Sequence, residues 1–191
     1  VGALGIALLV VGSPTAQAAS RSGLSTGFRH VAAGAAAART SSLCDKVSAA
    51  SVSAIIGYKV PAPTSDTLTI KPEKENFEIS GTDTVCTYGP ETSMATILKA
   101  VSLSYEVISK PLTSAEMQES IKRASVNATF KFTTYPGLGV PGFYFSLTEA
   151  GITGQGISGV LGGTRYFGAT VENKNVSKTT LANLAKLAEK L

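Results

Sequence analysis

Two cysteines, one histidine and 13 carboxylates are the groups with which this 191-residue chain could do chemistry. Cys44 and Cys86 make no Cys-x-x-Cys redox motif, and two thiols with one imidazole cannot complete a zinc finger or an iron–sulfur site. In an exported chain such a pair most often closes a disulfide, worth roughly 4 kcal/mol in the chain-entropy picture. The single histidine, His30, lies in an Ala/Gly/Ser-rich stretch that cannot lock an imidazole beside a nucleophile. Ser-His-Asp and Cys-His centres and a His-bound catalytic zinc are therefore disfavoured. Carboxylates remain. Glu73, Glu75, Glu78 and Asp83 cluster in Lys71–Asp83, whose Pro, Gly and charge read as a solvated surface loop. A facing pair there would suit glycosidase chemistry or a weak Ca²⁺ site. Neither has a recognisable spacing, so no catalytic residue, metal or cofactor is expected.

Two Gly-rich pieces offer binding rather than reaction. Gly151–Gly156 lacks the Gly-Lys-Ser/Thr of a phosphate loop. Pro136–Gly142 is a turn stiffened by prolines, with Leu138 and Val140 expected to be exposed. Turn chemistry accounts for both segments. Their functional reading is one rim of a groove, formed by Leu138, Gly139 and Val140 on one loop and Gly154 and Gln155 on the other.

The elements that would position these residues follow from periodicity and caps. Ser41–Gly57 reads as a helical start, divisible into two short helices by a cap at Ser48 and stopped by Gly57. Strands are expected at Asp66–Ile70, Thr84–Tyr88 and Ile97–Ile108. In the last of these Val101, Leu103, Tyr105 and Val107 point one way, and Ser102, Ser104 and Glu106 towards a solvated face. Thr113-Ser-Ala-Glu116 is a capping box opening a helix whose buried stripe is Met117, Ile121 and Ala124. Further strands are expected around Phe130/Phe132, Phe143–Leu147 and Ile157–Leu161. A Gly162-Gly163 hairpin then leads into Thr164–Val171. Ser177 caps a final helix that runs to Leu191. The expected class is α+β: a single domain, residues 41–191, with an antiparallel sheet flanked by helices.

Ahead of that domain, Ala3–Gly12 is an apolar run of signal-peptide length, too short to span a bilayer. Gly12-Ser13-Pro14 breaks it, and Ala16-Gln17-Ala18 is a small-x-small cleavage site. Residues 1–19 are therefore expected to be a signal peptide cut short at its start, leaving a product that begins at Ala19 or Ser20. No cysteine follows the run to carry a lipid, and no transmembrane helix is expected in the mature form. Residues 20–40 read as a flexible Ala/Gly/Ser/Arg tether. They carry much of the net charge of +4: taking Arg21, Arg29 and Arg39 from 17 basic residues leaves 14 against 13 acidic. The tether could touch anionic envelope polymers or phospholipid weakly, although a solvated linker explains it as well. The folded part has no basic stripe interleaved with aromatics, so nucleic acid is not an expected partner.

A combination of short motifs carries a resemblance. Leu43-Cys44-Asp45, Ile55-Ile56-Gly57, Cys86-Thr87-Tyr88, Gly137-Leu138-Gly139, a Gly-Gly hairpin ending in Tyr-Phe and a Leu-Ala-x-Leu-Ala helix follow in that order. The stretch from Leu43 to Leu191 resembles exported actinobacterial lipoprotein-type domains of unknown function with a PsbP-like α/β sandwich. The lipid-carrying cysteine of that group is missing, and the resemblance supplies no catalytic residues. The expectation is a secreted or cell-envelope binding or interaction domain, not an enzyme, whose partner is an envelope protein, polymer or small ligand. The competing class is a carboxylate-dependent hydrolase or lyase that uses only carboxylates, Ser and Tyr.

Overall fold

Local signals set the helix ends where the residue types require them. The computed structural model describes residues 43–72, 77–89, 99–124, 129–149, 152–172 and 175–191. The expected signal at 1–19, the expected tether at 20–40 with His30, and Glu73, Glu75 and Gly151 lie outside the described residues. A 3-10 turn, Leu43–Lys46, precedes helix α1, Ala49–Ile56. The Ser48 hydroxyl accepts the Ser51 N–H at 3.1 Å, and Gly57 ends the helix with φ of 86°. Helix α2, Ser114–Ala124, opens on the expected capping box. There the Thr113 N–H and hydroxyl each donate to a Glu116 carboxylate oxygen at 2.8 Å, and the Glu116 N–H donates back to the Thr113 hydroxyl. The Ile121 and Ala124 side chains lie outside the described residues. Helix α3, Lys178–Ala188, is capped by Ser177 and stops three residues short of the expected end.

Seven strands form one antiparallel sheet: β1 Thr64–Ile70, β2 Gly81–Tyr88, β3 Val101–Ile108, β4 Thr129–Thr134, β5 Gly142–Glu149, β6 Ile152–Leu161 and β7 Arg165–Val171. Their order is β1-β2-β3-β7-β6-β5-β4, two meanders joined where β3 pairs with β7. The class is α+β, as the alternation of strands and helices implies. The β6–β7 hairpin is one residue longer than expected: Leu161 pairs with Arg165 across Gly162, Gly163 and Thr164. Both glycines take positive φ, 58° and 81°, as that bend requires. Gly156 is needed for a different reason: a side chain there would strike the Phe145 ring that lies across β6.

One sheet face carries the larger core. Leu181, Leu184, Ala185 and Ala188 of α3 pack with Leu103, Ile157, Phe167, Ala169 and Val171 of the central strands, and α1 adds Val52. The disulfide Cys44–Cys86, with Cα atoms 5.5 Å apart, fastens the first 3-10 turn to β2 over a sequence separation of 42. Beside it the Tyr88 hydroxyl donates to the Val47 carbonyl at 2.7 Å, and Lys46 Nζ donates to the Leu191 carbonyl at 2.7 Å. The first bond ties the start of the domain to β2, and the second ties the first and last described segments together.

The opposite face corrects the expectation of a solvated side. A second cluster of Ile70, Ile79, Ile108, Leu112, Met117, Phe143, Phe145 and Tyr166 covers it. Ser102 and Glu106 are buried as a result, whereas Val107, assigned to the core face by alternation, is 38% exposed. The reason is reach. Ile79, just before β2, and Leu112, just after β3, add apolar side chains to the second face, while Val107 lies on the first face near the end of β3, and the larger core does not include it. Leu68 on the edge strand β1 is likewise exposed.

Candidate functional site

Between α2 and the far end of the sheet lies a cleft of about 440 Å³. Ser114 and Met117 of α2 form its roof. Phe132 and Thr134 of β4, Phe143 of β5 and Val160 of β6 form its floor, and the 135–142 connection closes one side. The antiparallel register explains the floor. Thr134 pairs with Phe143 and Phe132 with Phe145, so Phe132 and Phe143 are diagonal neighbours on one face. Their rings stack at 4.9 Å between centroids.

The connection is held at both ends: the Tyr135 N–H donates to the Gly142 carbonyl at 2.8 Å and the Val160 N–H to the Pro141 carbonyl at 2.9 Å. Pro136 and Gly139, the latter with φ of 80°, make a 3-10 turn between them. Among the described residues, no Asp, Glu, Lys, Arg or His lines the cleft. That absence of charge is the property most relevant to what it can hold.

The sequence-proposed rim divides on this frame. Val140 lines the cleft. Leu138, expected to be exposed, is buried to 7% and turns to the other face of the sheet, where it joins the larger core. Gly142 and Gly159 leave it that room, since a Cβ on either would approach its Cδ1 to 3.0 Å. Gly139 serves the turn. Gly154 and Gln155 lie within β6 rather than in a loop, which corrects that reading. The hydroxyl of Tyr144 donates to Gln155 Oε1 at 2.8 Å on the α3 side, while Gly154 faces the Glu172 carboxylate on the other. Gly154 is also five residues along β6 from Gly159, about 17 Å in an extended strand, so these two pieces do not form one rim.

A second feature shares the face of the cleft. Asp83 and Glu106 stand directly opposite each other on β2 and β3, and Glu106 stands opposite Tyr166 on β7. Asp83 is 0% exposed and Glu106 2%. This overturns both expectations for them, the solvated loop for Asp83 and the solvated strand face for Glu106. Neither Asp83 oxygen has a hydrogen-bond partner, nor does Glu106 Oε1. Burial pushes the Asp83 carboxyl up to about 7. Glu106 is pushed well above the ordinary range by burial first and then by the neighbouring Asp83 charge. The pair therefore retains protons where exposed carboxylates have lost them. Its burial leaves no surface on which a substrate could meet it. Among the described residues no group of three or more His, Cys, Asp or Glu could hold a metal ion.

Tyr166 separates the pair from the cleft, since its other strand neighbour, Val160, lines the cleft floor. Its hydroxyl accepts the Leu112 N–H at 3.2 Å and donates to the Gly163 carbonyl at 3.4 Å. Burial raises its pKa, so the phenol stays protonated in ordinary conditions. Tyr166 thus pins the connection that leads into the roof helix. Tyr166→Phe strands a buried N–H and is expected to cost about 1–2 kcal/mol in urea denaturation. A stability unchanged from wild type would show that the two bonds carry no weight.

No protein-family model, no curated protein and no solved structure matches this chain. Among the described residues, no helix is long and apolar enough to cross a membrane.

Proposed function

We propose that this is an exported, non-enzymatic binding domain of the cell envelope that takes a small, largely apolar ligand into the cleft beneath α2. The observation that carries the reading is the cleft itself: a volume within the range of small-molecule sites, aromatic and aliphatic walls, and no carboxylate, Lys, Arg or His among its described lining residues. The apolar run and small-x-small site of the first 19 residues support export, as does the disulfide, a bond that persists in oxidising compartments. The competing reading, a carboxylate-dependent hydrolase or lyase, draws support from the adjacent pair Asp83 and Glu106. Their complete burial weighs against it, because a catalytic dyad must flank a bond it can reach.

The test uses N-phenyl-1-naphthylamine, an uncharged dye that brightens in apolar surroundings. Saturable binding at one site is expected. Val160→Trp, which places an indole in the cleft, is expected to weaken it about tenfold or more. Binding that does not saturate, or that Val160→Trp leaves intact in a folded protein, would remove the cleft as the site. Turnover of an envelope substrate, lost in Asp83→Asn or Glu106→Gln, would overturn the non-enzymatic reading.

A further inference from the structure

The chemistry of the cleft lining narrows the ligand class, an inference that rests on the binding role proposed above. An ionised group entering an apolar site must leave its water, a loss that is strongly unfavourable unless a counter-charge or a set of hydrogen bonds replaces it. Among the described residues the lining supplies no counter-charge and only two side-chain hydroxyls besides one phenol. Its side chains are Met, Phe, Val and Pro with the hydroxyls of Ser114 and Thr134; the ring of its one phenol, Tyr135, lies over Gly137.

The start of α2 could have offered an anion site, because helix N-termini carry partial positive charge and free N–H groups. Here it is already taken. The Thr113 hydroxyl accepts the Glu116 N–H, and the Glu116 carboxylate occupies the first turn. Its bonds to Thr113 hold that carboxyl below the usual range, so a second anion would meet an ionised carboxylate in the same turn. A cation fares no better inside, with no carboxylate among the described lining residues and the Glu116 carboxylate turned back onto Thr113 rather than into the cleft lining. An uncharged group such as a hydroxyl, ester or amide, by contrast, can exchange water for the Ser114 and Thr134 hydroxyls.

We infer that the cleft selects an uncharged, mainly hydrocarbon molecule bearing one hydroxyl, ester or amide group, and discriminates against fatty-acid-like anions and alkylammonium cations of the same chain length.

Displacement of the bound dye by octan-1-ol, octanoate and octylammonium compares three head groups on one chain. At about pH 6, octan-1-ol is expected to bind about tenfold or more tightly than either ion. At about pH 4, octanoate becomes largely uncharged and is expected to approach octan-1-ol, whose own affinity stays within about twofold. Thr134→Lys, an exposed position on the edge strand, is expected to reverse the preference towards octanoate at about pH 6. Octanoate or octylammonium equalling octan-1-ol at that pH would overturn the selection for uncharged ligands. So would failure of all three to displace a dye that itself binds saturably and is lost in Val160→Trp. Absence of dye binding would instead remove the cleft as a binding site, and the ligand class with it.

Discussion

Between about pH 4 and pH 7 the ionisation of Asp83 alone is expected to cost the fold on the order of 4 kcal/mol of stability as pH rises, and Asp83→Asn is expected to remove that share of the slope. Most proteins behave oppositely over this interval, because their paired carboxylates are stabilised in the ionised form. Both Asp83 oxygens are buried without a hydrogen-bond partner. In the unfolded chain the carboxyl ionises near pH 4, whereas in the fold it keeps its proton to about 7. Below the unfolded value both states are protonated and burial carries no electrostatic penalty. Between the two values the unfolded state has released the proton and the folded state has not, so every unit of pH favours unfolding by about 1.4 kcal/mol. Above the folded value both are ionised and the loss levels off. Glu106, shifted in the same direction, steepens the fall, while the solvated Glu116, shifted down, works the other way.

Urea titrations at several pH values between about 4 and 8 would measure this directly. An asparagine cannot ionise, and its amide can donate to the Glu106 carboxylate across the strand pair. Asp83→Asn should therefore be more stable than wild type at about pH 8 and nearly equal to it at about pH 4. The double variant Asp83→Asn/Glu106→Gln should be flat across the interval. A wild-type stability that rises from pH 4 to 7, or a variant with the wild-type slope, would mean that the pair is not buried as described.

This pair also marks where the chain stopped being legible. The features readable in advance are local ones: Ser48 and Gly57 bracketing α1, Thr113 with Glu116 opening α2, Ser177 opening α3, and the two glycines at the β6–β7 bend. Each depends on residues a few positions apart. The alternation in β3 was equally clear, yet it assigned Glu106 to solvent. Alternation tells which residues share a face and not what covers it. The cover comes from Ile79 and Leu112, which precede β2 and follow β3. That Asp83 meets Glu106 depends on register, fixed where Tyr88 pairs with Val101 across a connection with no two-residue turn signal.

The cleft is harder still to foresee. Its lining comes from α2, β4, a connecting turn, β5 and β6, and no motif spans those five pieces. The turn alone is visible in the sequence, and its composition points Leu138 to solvent where the fold buries it. That residue faces inward only because glycines on two different strands, Gly142 and Gly159, make space for it.

Removing the disulfide is expected to lower stability by about 4 kcal/mol, and the melting temperature by roughly 10 °C for a domain of this size. The bridge closes a loop of 42 residues, which in the chain-entropy picture restricts the unfolded chain far more than the folded one. The folded side has its own stake. Cys44 and Cys86 are both buried in the larger core, so Cys44→Ser/Cys86→Ser would place two hydroxyls there, whereas Cys44→Ala/Cys86→Ala would leave only a small void. The alanine pair is therefore the cleaner measure of the bridge, with the serine pair expected to be lower still. The residual contacts of the first 3-10 turn, Tyr88 to the Val47 carbonyl and Lys46 to Leu191, should hold that turn in place while the chain remains folded. They act on the face opposite the cleft, so dye binding in the folded alanine variant should stay within about twofold of wild type. Mass mapping without reductant should show the two cysteine peptides joined in protein recovered from outside the cytoplasm. Free, alkylatable thiols there, or an alanine variant that melts with the wild type, would remove the bridge as the element fastening the first turn to the sheet.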